Sequence, residues 1–339
     1  MTLVRTIPEQ RSYEWIDQRH VAFMTSNMFS RPTNFFSSNQ DHGRVSRRKF
    51  IANLAAAGIC MPALAQLGCA ARPASQMRLA CQTNAWPFES GLAGLIPVLR
   101  TIKSLGFQGY ETSYRNVQEA FSDPKPARAQ LEETGLTCAG VHIAGTSLYE
   151  PDTGIPSLDF LQKIAAGSSA LGAEYLILSG RGVAEVNGKL DQDALKRKIT
   201  ALLEYAQYCH DVGLTLAYHN HADDLILDGA EIDELLAADR SDLVGVWFCL
   251  NNAQRAGVPV ANYFSGHHES ITGIHLTNIS IDSPGEHRLD DEPLLKEIQK
   301  AAWKGWLVIE EERTRDRRDW PETPAVTKAR QHVSQVFGI

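Results

Sequence analysis

Glu111, His142, His219, His275 and Glu310 are the residues of this sequence with most to offer a chemical step, and each stands at or near the end of a short apolar run. A carboxylate at such a place can take a proton from a carbon next to a carbonyl, while an imidazole or a metal ion stabilises the enediolate that results. The same residue types also make a metal-binding set, because a neutral imidazole nitrogen and a carboxylate oxygen are both good donors to a divalent cation. His219 lies in Tyr218-His219-Asn220-His221, His275 in Ile274-His275-Leu276-Thr277-Asn278, and Glu310 heads Glu310-Glu311-Glu312-Arg313. Plainer explanations compete with each. A buried histidine can simply be satisfied by hydrogen bonds, Glu111 can end a strand in a salt bridge, and Glu310 to Arg313 can be a solvated charge run.

The elements around these residues repeat. Apolar runs predict strands at Leu79–Thr83, Gln108–Thr112, Leu136–Ile143, Tyr175–Ser179, Leu214–His219, Leu243–Cys249, Ile271–Thr277 and Trp306–Glu310. Between them, apolar residues recur at helical spacing, as in Leu195, Ile199, Leu202, Leu203 and Ala206. Glycine precedes strands at Gly106, Gly135, Gly172, Gly213 and Gly305, where a helix C-cap would hand the chain to the next strand. Eight such units in about 260 residues predict a (β/α)8 barrel over residues 77–339. An open doubly wound sheet would usually carry a glycine-rich phosphate loop after its first strand, and Asn84-Ala85-Trp86-Pro87-Phe88 stands there instead. In a barrel of this kind the reactive groups gather at the C-terminal ends of the strands. The residues expected there include Gln82, Asn84 and Trp86, then Glu111, His142, Ser179 and Arg181, then His219, His221, Asn251, Asn252, His275, Thr277 and Glu310. Trp86, Phe88 and Tyr114 offer faces on which a sugar ring could stack.

Composition narrows the partners. The chain has 339 residues, 43% hydrophobic and 22% charged, which is a globular balance. Its formal net charge is −7, and since the first 65 positions hold 8 Lys and Arg against 4 Asp and Glu, the remainder is more acidic still, so a nucleic-acid partner is not expected. No C-x-x-C pair occurs, and Cys81, Cys138, Cys209 and Cys249 read as small buried hydrophobes.

Residues 1–45 are polar and aperiodic and predict a disordered or over-extended N-terminus. Residues 46–65 have the three parts of a twin-arginine export signal: Ser46-Arg47-Arg48-Lys49-Phe50-Ile51, a mildly apolar stretch too short to span a bilayer, and Ala63-Leu64-Ala65 as a cleavage site. Periplasmic export is therefore expected, with no transmembrane span in the mature protein. Leu67-Gly68-Cys69 is a rival processing site that would place a lipid on Cys69.

From residue 79 to 337 the chain resembles the sugar phosphate isomerase/epimerase family, the xylose-isomerase-like barrels. The likeness rests on Leu105-Gly106-Phe107-Gln108-Gly109-Tyr110-Glu111, Tyr218-His219-Asn220-His221, Ile274-His275-Leu276-Thr277-Asn278 and Gly305-Trp306-Leu307-Val308-Ile309-Glu310. The resemblance implies one divalent cation held by residues on strands five to eight, here His219, Asn251, His275 and Glu310. Two of these depart from the family's carboxylates, which favours manganese, zinc, iron or cobalt over magnesium; a protein without metal is an equal alternative. The expected roles are Glu310 or Glu111 as base, with His142, His219 or His275 polarising the substrate oxygen, and Trp86, Asn84, His221 and Arg181 as sugar contacts. Glu111 and His142 are expected across the cavity from the metal set, leaving room for a sugar ring.

Two functions follow. One is an exported isomerase, epimerase or carbon–oxygen lyase acting next to a sugar carbonyl, with elimination from 3-keto-glycosides suited to the periplasm. Ser283-Pro284-Gly285-Glu286-His287 is acidic and makes no phosphate cradle, so a phosphorylated substrate is not implied. The other is a carbohydrate-binding barrel without catalysis, suggested by Asn251 and Asn278 where the family has carboxylates. The oligomeric state is open.

Overall fold

A computed structural model of the chain describes residues 77–277, 279, 291–311 and 322–339. The expected N-terminus, twin-arginine segment and Cys69 site lie outside the described residues, as do Asn278, Ser283 to His287, Glu312 and Arg313.

Eight strands close a parallel barrel in which each pairs with its neighbours in sequence: β1 (Arg78–Gln82), β2 (Gly109–Ser113), β3 (Thr137–Ile143), β4 (Tyr175–Ser179), β5 (Thr215–His219), β6 (Val244–Cys249), β7 (Ile271–Thr277) and β8 (Trp306–Glu310), with β8 returning to β1. All eight fall within one residue of their sequence-based bounds. Helices follow the strands, among them α1 (Leu92–Ser104), α2 (Pro124–Glu132), α3 (Leu158–Ala170), α4 (Gln192–Asp211), α5 (Ile226–Ala238), α6 (Leu250–Arg255), α7 (Val260–His267), α8 (Asp291–Ala301) and α9 (Glu322–Phe337). Among the described residues, no helix is long and apolar enough to cross a membrane.

Four of the five glycines before strands do end helices in the left-handed region: Gly106, Gly135, Gly172 and Gly213 have φ between +68° and +86°. Gly305 does not. There Ala302 takes the positive φ, and Gly305 serves close packing, since a Cβ on it would run into the Trp303 ring and the Thr272 carbonyl.

Two apolar layers form. The larger lies between the sheet and the helices; the smaller fills the barrel interior with Ala80, Ala139, Ile177, Ala217, Trp247, Trp306 and Val308. Two indoles fit inside one barrel because the facing positions are small. A Cβ on Gly109 would come 2.6 Å from the Trp306 ring, and one on Gly273 would collide with Trp247. The lower mouth is closed by polar pairing: Arg78 makes two 2.7 Å bonds to Glu174 and lies over the Trp306 ring, whose Nε1 donates to Glu174 at 3.0 Å. Trp247 instead points its Nε1 upward to Glu111 Oε2, at 3.0 Å, so the packed floor carries the site directly.

Candidate active site

Side chains two residues apart on a strand share a face. The indole of Trp247 is inside the barrel, so Cys249 is inside as well; the same alternation puts His275 and Thr277 inside on β7. At the C-terminal ends every strand contributes one or two inward polar groups: Gln82, Glu111, His142, Ser179, His219, Cys249, His275 with Thr277, and Glu310.

These groups, Cys249 apart, form a continuous circuit. Glu111 is wholly buried and takes hydrogen bonds from Gln82 Nε2 (2.7 Å) and Trp247 Nε1 (3.0 Å), and it pairs with His142 Nδ1 (2.9 Å) and His275 Nε2 (2.6 Å). From His142 Nε2 the circuit passes to Ser179 Oγ at 2.9 Å and on to His219 Nδ1 at 3.1 Å. His219 Nε2 then faces His275 Nδ1 at 3.1 Å. The same His275 nitrogen lies 3.1 Å from Glu310 Oε2, which also accepts the Thr277 hydroxyl at 2.9 Å.

Charge within the circuit follows from burial and neighbours. Burial alone would strip the proton from His275, but the carboxylates of Glu111 and Glu310 on either side hold its pKa well above the usual imidazole value. His219 goes the other way: burial, then the nearby histidines, keep it neutral. Burial opposes ionisation of Glu111, yet the charge of His275 and the bonds from both imidazoles outweigh it and hold the carboxyl far below the ordinary range. Glu310 is lowered as well, burial being outweighed chiefly by His275.

The cluster fits a divalent cation. Nitrogens and oxygens about 2.1 Å from a shared zinc-type ion stand roughly 3.0–3.5 Å apart, and His219 Nε2, His275 Nδ1 and Glu310 Oε2 have that spacing around His275. The far nitrogen of each imidazole is held by a protein group, Ser179 for His219 and Glu111 for His275, the arrangement that orients metal-binding histidines. Two carboxylates beside one imidazole favour positive charge at that spot, whether as a proton or as a metal ion.

The expected residues divide. His219, His275, Glu310, Glu111 and His142 come together. Glu111 and His142 do not stand across an open space: Glu111 touches His275 and is sealed beneath it, because four strands send donors to its two oxygens. His221 reaches the mouth, half-buried and edge-on to the His219 ring at 5.3 Å between centroids. Asn251 sits past the end of β6, on α6, with its amide donating to the Thr277 carbonyl at 2.9 Å; Cys249 is the strand-six residue beside His219 and Glu310. Asn84 is exposed in the turn after β1, and Trp86 is half-buried with its Nε1 on Thr323 of α9 at 3.2 Å. Arg181 is exposed beyond β4. Tyr114 is no open stacking face, being buried edge-on against Phe160.

Sequence reading missed a second buried group. Lys198 of α4 pairs with Asp224 (3.2 Å) and Glu231, and also donates to the Arg181 carbonyl at 2.6 Å. Asp224 accepts the Tyr218 hydroxyl and the His221 amide, both at 2.7 Å, and Glu231 accepts the Val183 amide at 2.7 Å. This group ties the loops after β4 and β5, which carry Arg181 and His221, to α4 and α5.

Residues 99–333 match the family described as the xylose isomerase-like TIM barrel. The chain belongs to that family. Among proteins of known activity, it is similar to an inosose dehydratase from Lacticaseibacillus casei, 23% identical over 245 residues that cover 61% of this chain and 78% of the dehydratase. Among solved structures of the same fold are a 3-keto-D-glucoside 4-epimerase from E. coli (15% identity, TM-score 0.55, covering 75% of this chain and 99% of the epimerase) and an L-ribulose 3-epimerase (16% identity, TM-score 0.63, covering 77% and 95%).

Proposed function

We propose that this barrel is a carbohydrate-acting isomerase, epimerase or carbon–oxygen lyase that removes a proton next to a sugar carbonyl. The observation that carries the reading is the convergence of His219, His275 and Glu310 at the C-terminal strand ends, above a carboxylate, Glu111, that orients His275. A divalent cation held by His219, His275 and Glu310 would polarise the substrate carbonyl and stabilise negative charge on its oxygen. Glu310 is the carboxylate at the mouth, 7% exposed, and is ionised at neutral pH, so it is the group to accept the proton. Glu111 is excluded from that role by geometry, since its two oxygens are engaged by four donors and it is sealed beneath His275. His221, with Trp86 and Asn84 on the loop after β1 and Arg181 beyond β4, supplies contacts to the sugar hydroxyls and ring.

The finer reading is elimination from 3-keto-glycosides. The carbon between the ketone and the anomeric carbon loses its proton to Glu310, its electron pair forms a double bond to the anomeric carbon, and the aglycone leaves with the anomeric oxygen and takes a proton from solvent. The activities of the relatives, a dehydration and a 4-epimerisation of a keto-glucoside, fit this chemistry. Twin-arginine export through Arg47 and Arg48 would deliver the protein to the periplasm, with Cys69 as the lipid-bearing residue if the second processing site is used.

Turnover of a panel of 3-keto-glycosides, inososes and ketohexoses by the metal-loaded protein tests the reading. Activity on at least one class, lost in Glu310→Gln with the fold intact, is expected. Sugar binding without turnover of any of them would instead make this a binding protein.

A further inference from the structure

The circuit accounts for every inward polar side chain at the strand ends except one. Cys249 is 2% exposed, and its sulfur, a nitrogen of His219 and an oxygen of Glu310 lie within 4.8 Å of one another. Its peptide is clamped: the amide donates to Asn220 Oδ1 at 2.8 Å, and the carbonyl accepts from Asn220 Nδ2 at 3.2 Å. Asn220 is itself wholly buried, so the direction of the Cys249 side chain is fixed from the backbone. The sulfur has only weak neutral partners, the Asn252 amide and Thr277 Oγ1 at 3.7 Å, whose own hydrogen bond goes to Glu310. Among the described residues, Cys81, Cys138 and Cys209 belong to no such group of donors.

We propose that Cys249 is a metal ligand, so that the centre binds its cation through two imidazole nitrogens, one carboxylate oxygen and one thiolate sulfur. The proposal rests on the reading that His219, His275 and Glu310 hold a divalent cation. As the cation binds, the Cys249 thiol proton and the Nδ1 proton of His275 leave to solvent, and no oxidation state changes. Thiolate and carboxylate together match the charge of a dication. A sulfur donor shifts preference away from magnesium and manganese, which favour oxygen, toward zinc, cobalt or ferrous iron. A fourth protein donor also fits the tetrahedral geometry zinc prefers, with a substrate oxygen able to enter as a fifth.

Zinc K-edge X-ray absorption on the full chain loaded with one equivalent of zinc tests this without altering a residue. One sulfur neighbour at about 2.3 Å beside nitrogen and oxygen at about 2.0–2.2 Å is expected. A shell of nitrogen and oxygen alone overturns the role of Cys249 and leaves the cation site standing. Failure to bind zinc or cobalt in equilibrium dialysis overturns both. The cobalt-loaded protein provides a second readout: a thiolate-to-cobalt charge-transfer band in the near ultraviolet, absent in Cys249→Ser while the visible bands remain. Zinc affinity should fall in that variant by more than the roughly 10–100-fold that losing a ligand's hydrogen-bond partner costs, and Cys249→Asp should move the preference toward manganese. A charge-transfer band that persists in Cys249→Ser would also contradict the proposal.

Discussion

His275 Nε2 lies 2.6 Å from Glu111 Oε2, joining β7 to β2 through the barrel interior. Both side chains are wholly buried, and their pKa values move in opposite directions, down for Glu111 and up for His275. The pair is therefore ionised in the folded protein, and it fixes which nitrogen of His275 faces His219 and Glu310.

Glu111→Gln should destabilise the chelator-treated protein by about 3–5 kcal/mol, because it removes a charge beside a buried imidazolium. The effect has a pH window. The depressed Glu111 gives stability that is present above the unfolded carboxylate pKa of about 4.3 and is lost as pH falls. The raised His275 gives stability that is present below the unfolded imidazole pKa of about 6.5 and is lost as pH rises through its higher folded value. Urea unfolding of wild type and variant should show the largest difference between about pH 4.5 and 6.5 and a smaller one on either side. A difference that keeps growing at alkaline pH would contradict the ion pair.

Lys198→Met should cost about 3–5 kcal/mol, since Asp224 and Glu231 would then share a buried site with no cation. Adding Glu231→Leu should recover part of the loss, because one of the two stranded charges goes with it. Denaturant midpoints of the single and double variants check this. A double variant no more stable than the single would mean that the three side chains do not act as one group.

The barrel floor should be intolerant of one added methyl. Gly273→Ala puts a Cβ into the Trp247 ring, so a loss of about 1–3 kcal/mol is expected, with Trp247 shifting away from Glu111. Thermal unfolding measures the loss, and the difference in tryptophan emission between wild type and Gly273→Ala follows the shift. An unchanged melting temperature would show that the floor has slack that the packing does not reveal.

The strands were legible because apolar runs and glycine stops mark them, and both are local signals. The site was only partly so. Reading it by residue type favoured Asn251, a polar residue, over Cys249, which looks like core. The parity of β6 carries the answer: Gly245, Trp247 and Cys249 alternate inward, and Asn251 falls beyond the strand's end. Lys198 was hidden for a related reason. It sits among Leu195, Ile199 and Leu202 in an amphipathic helix, where a lysine ordinarily faces water, and its partners Asp224 and Glu231 come from another helix and a distant turn. The contact of Glu111 with His275 joins residues 164 positions apart, and no local pattern announces it.

Proton exchange with solvent reports directly on abstraction next to the sugar carbonyl. The metal-loaded protein is incubated in deuterium oxide with a 3-keto-glycoside, an inosose and a ketohexose, and each sugar is followed by NMR. Solvent deuterium is expected at a carbon next to the carbonyl of at least one substrate, or in the product formed from it, with exchange lost in Glu310→Gln and after chelator treatment. Exchange that continues undiminished in Glu310→Gln, or no exchange in any sugar that the metal-loaded protein demonstrably binds, would contradict it.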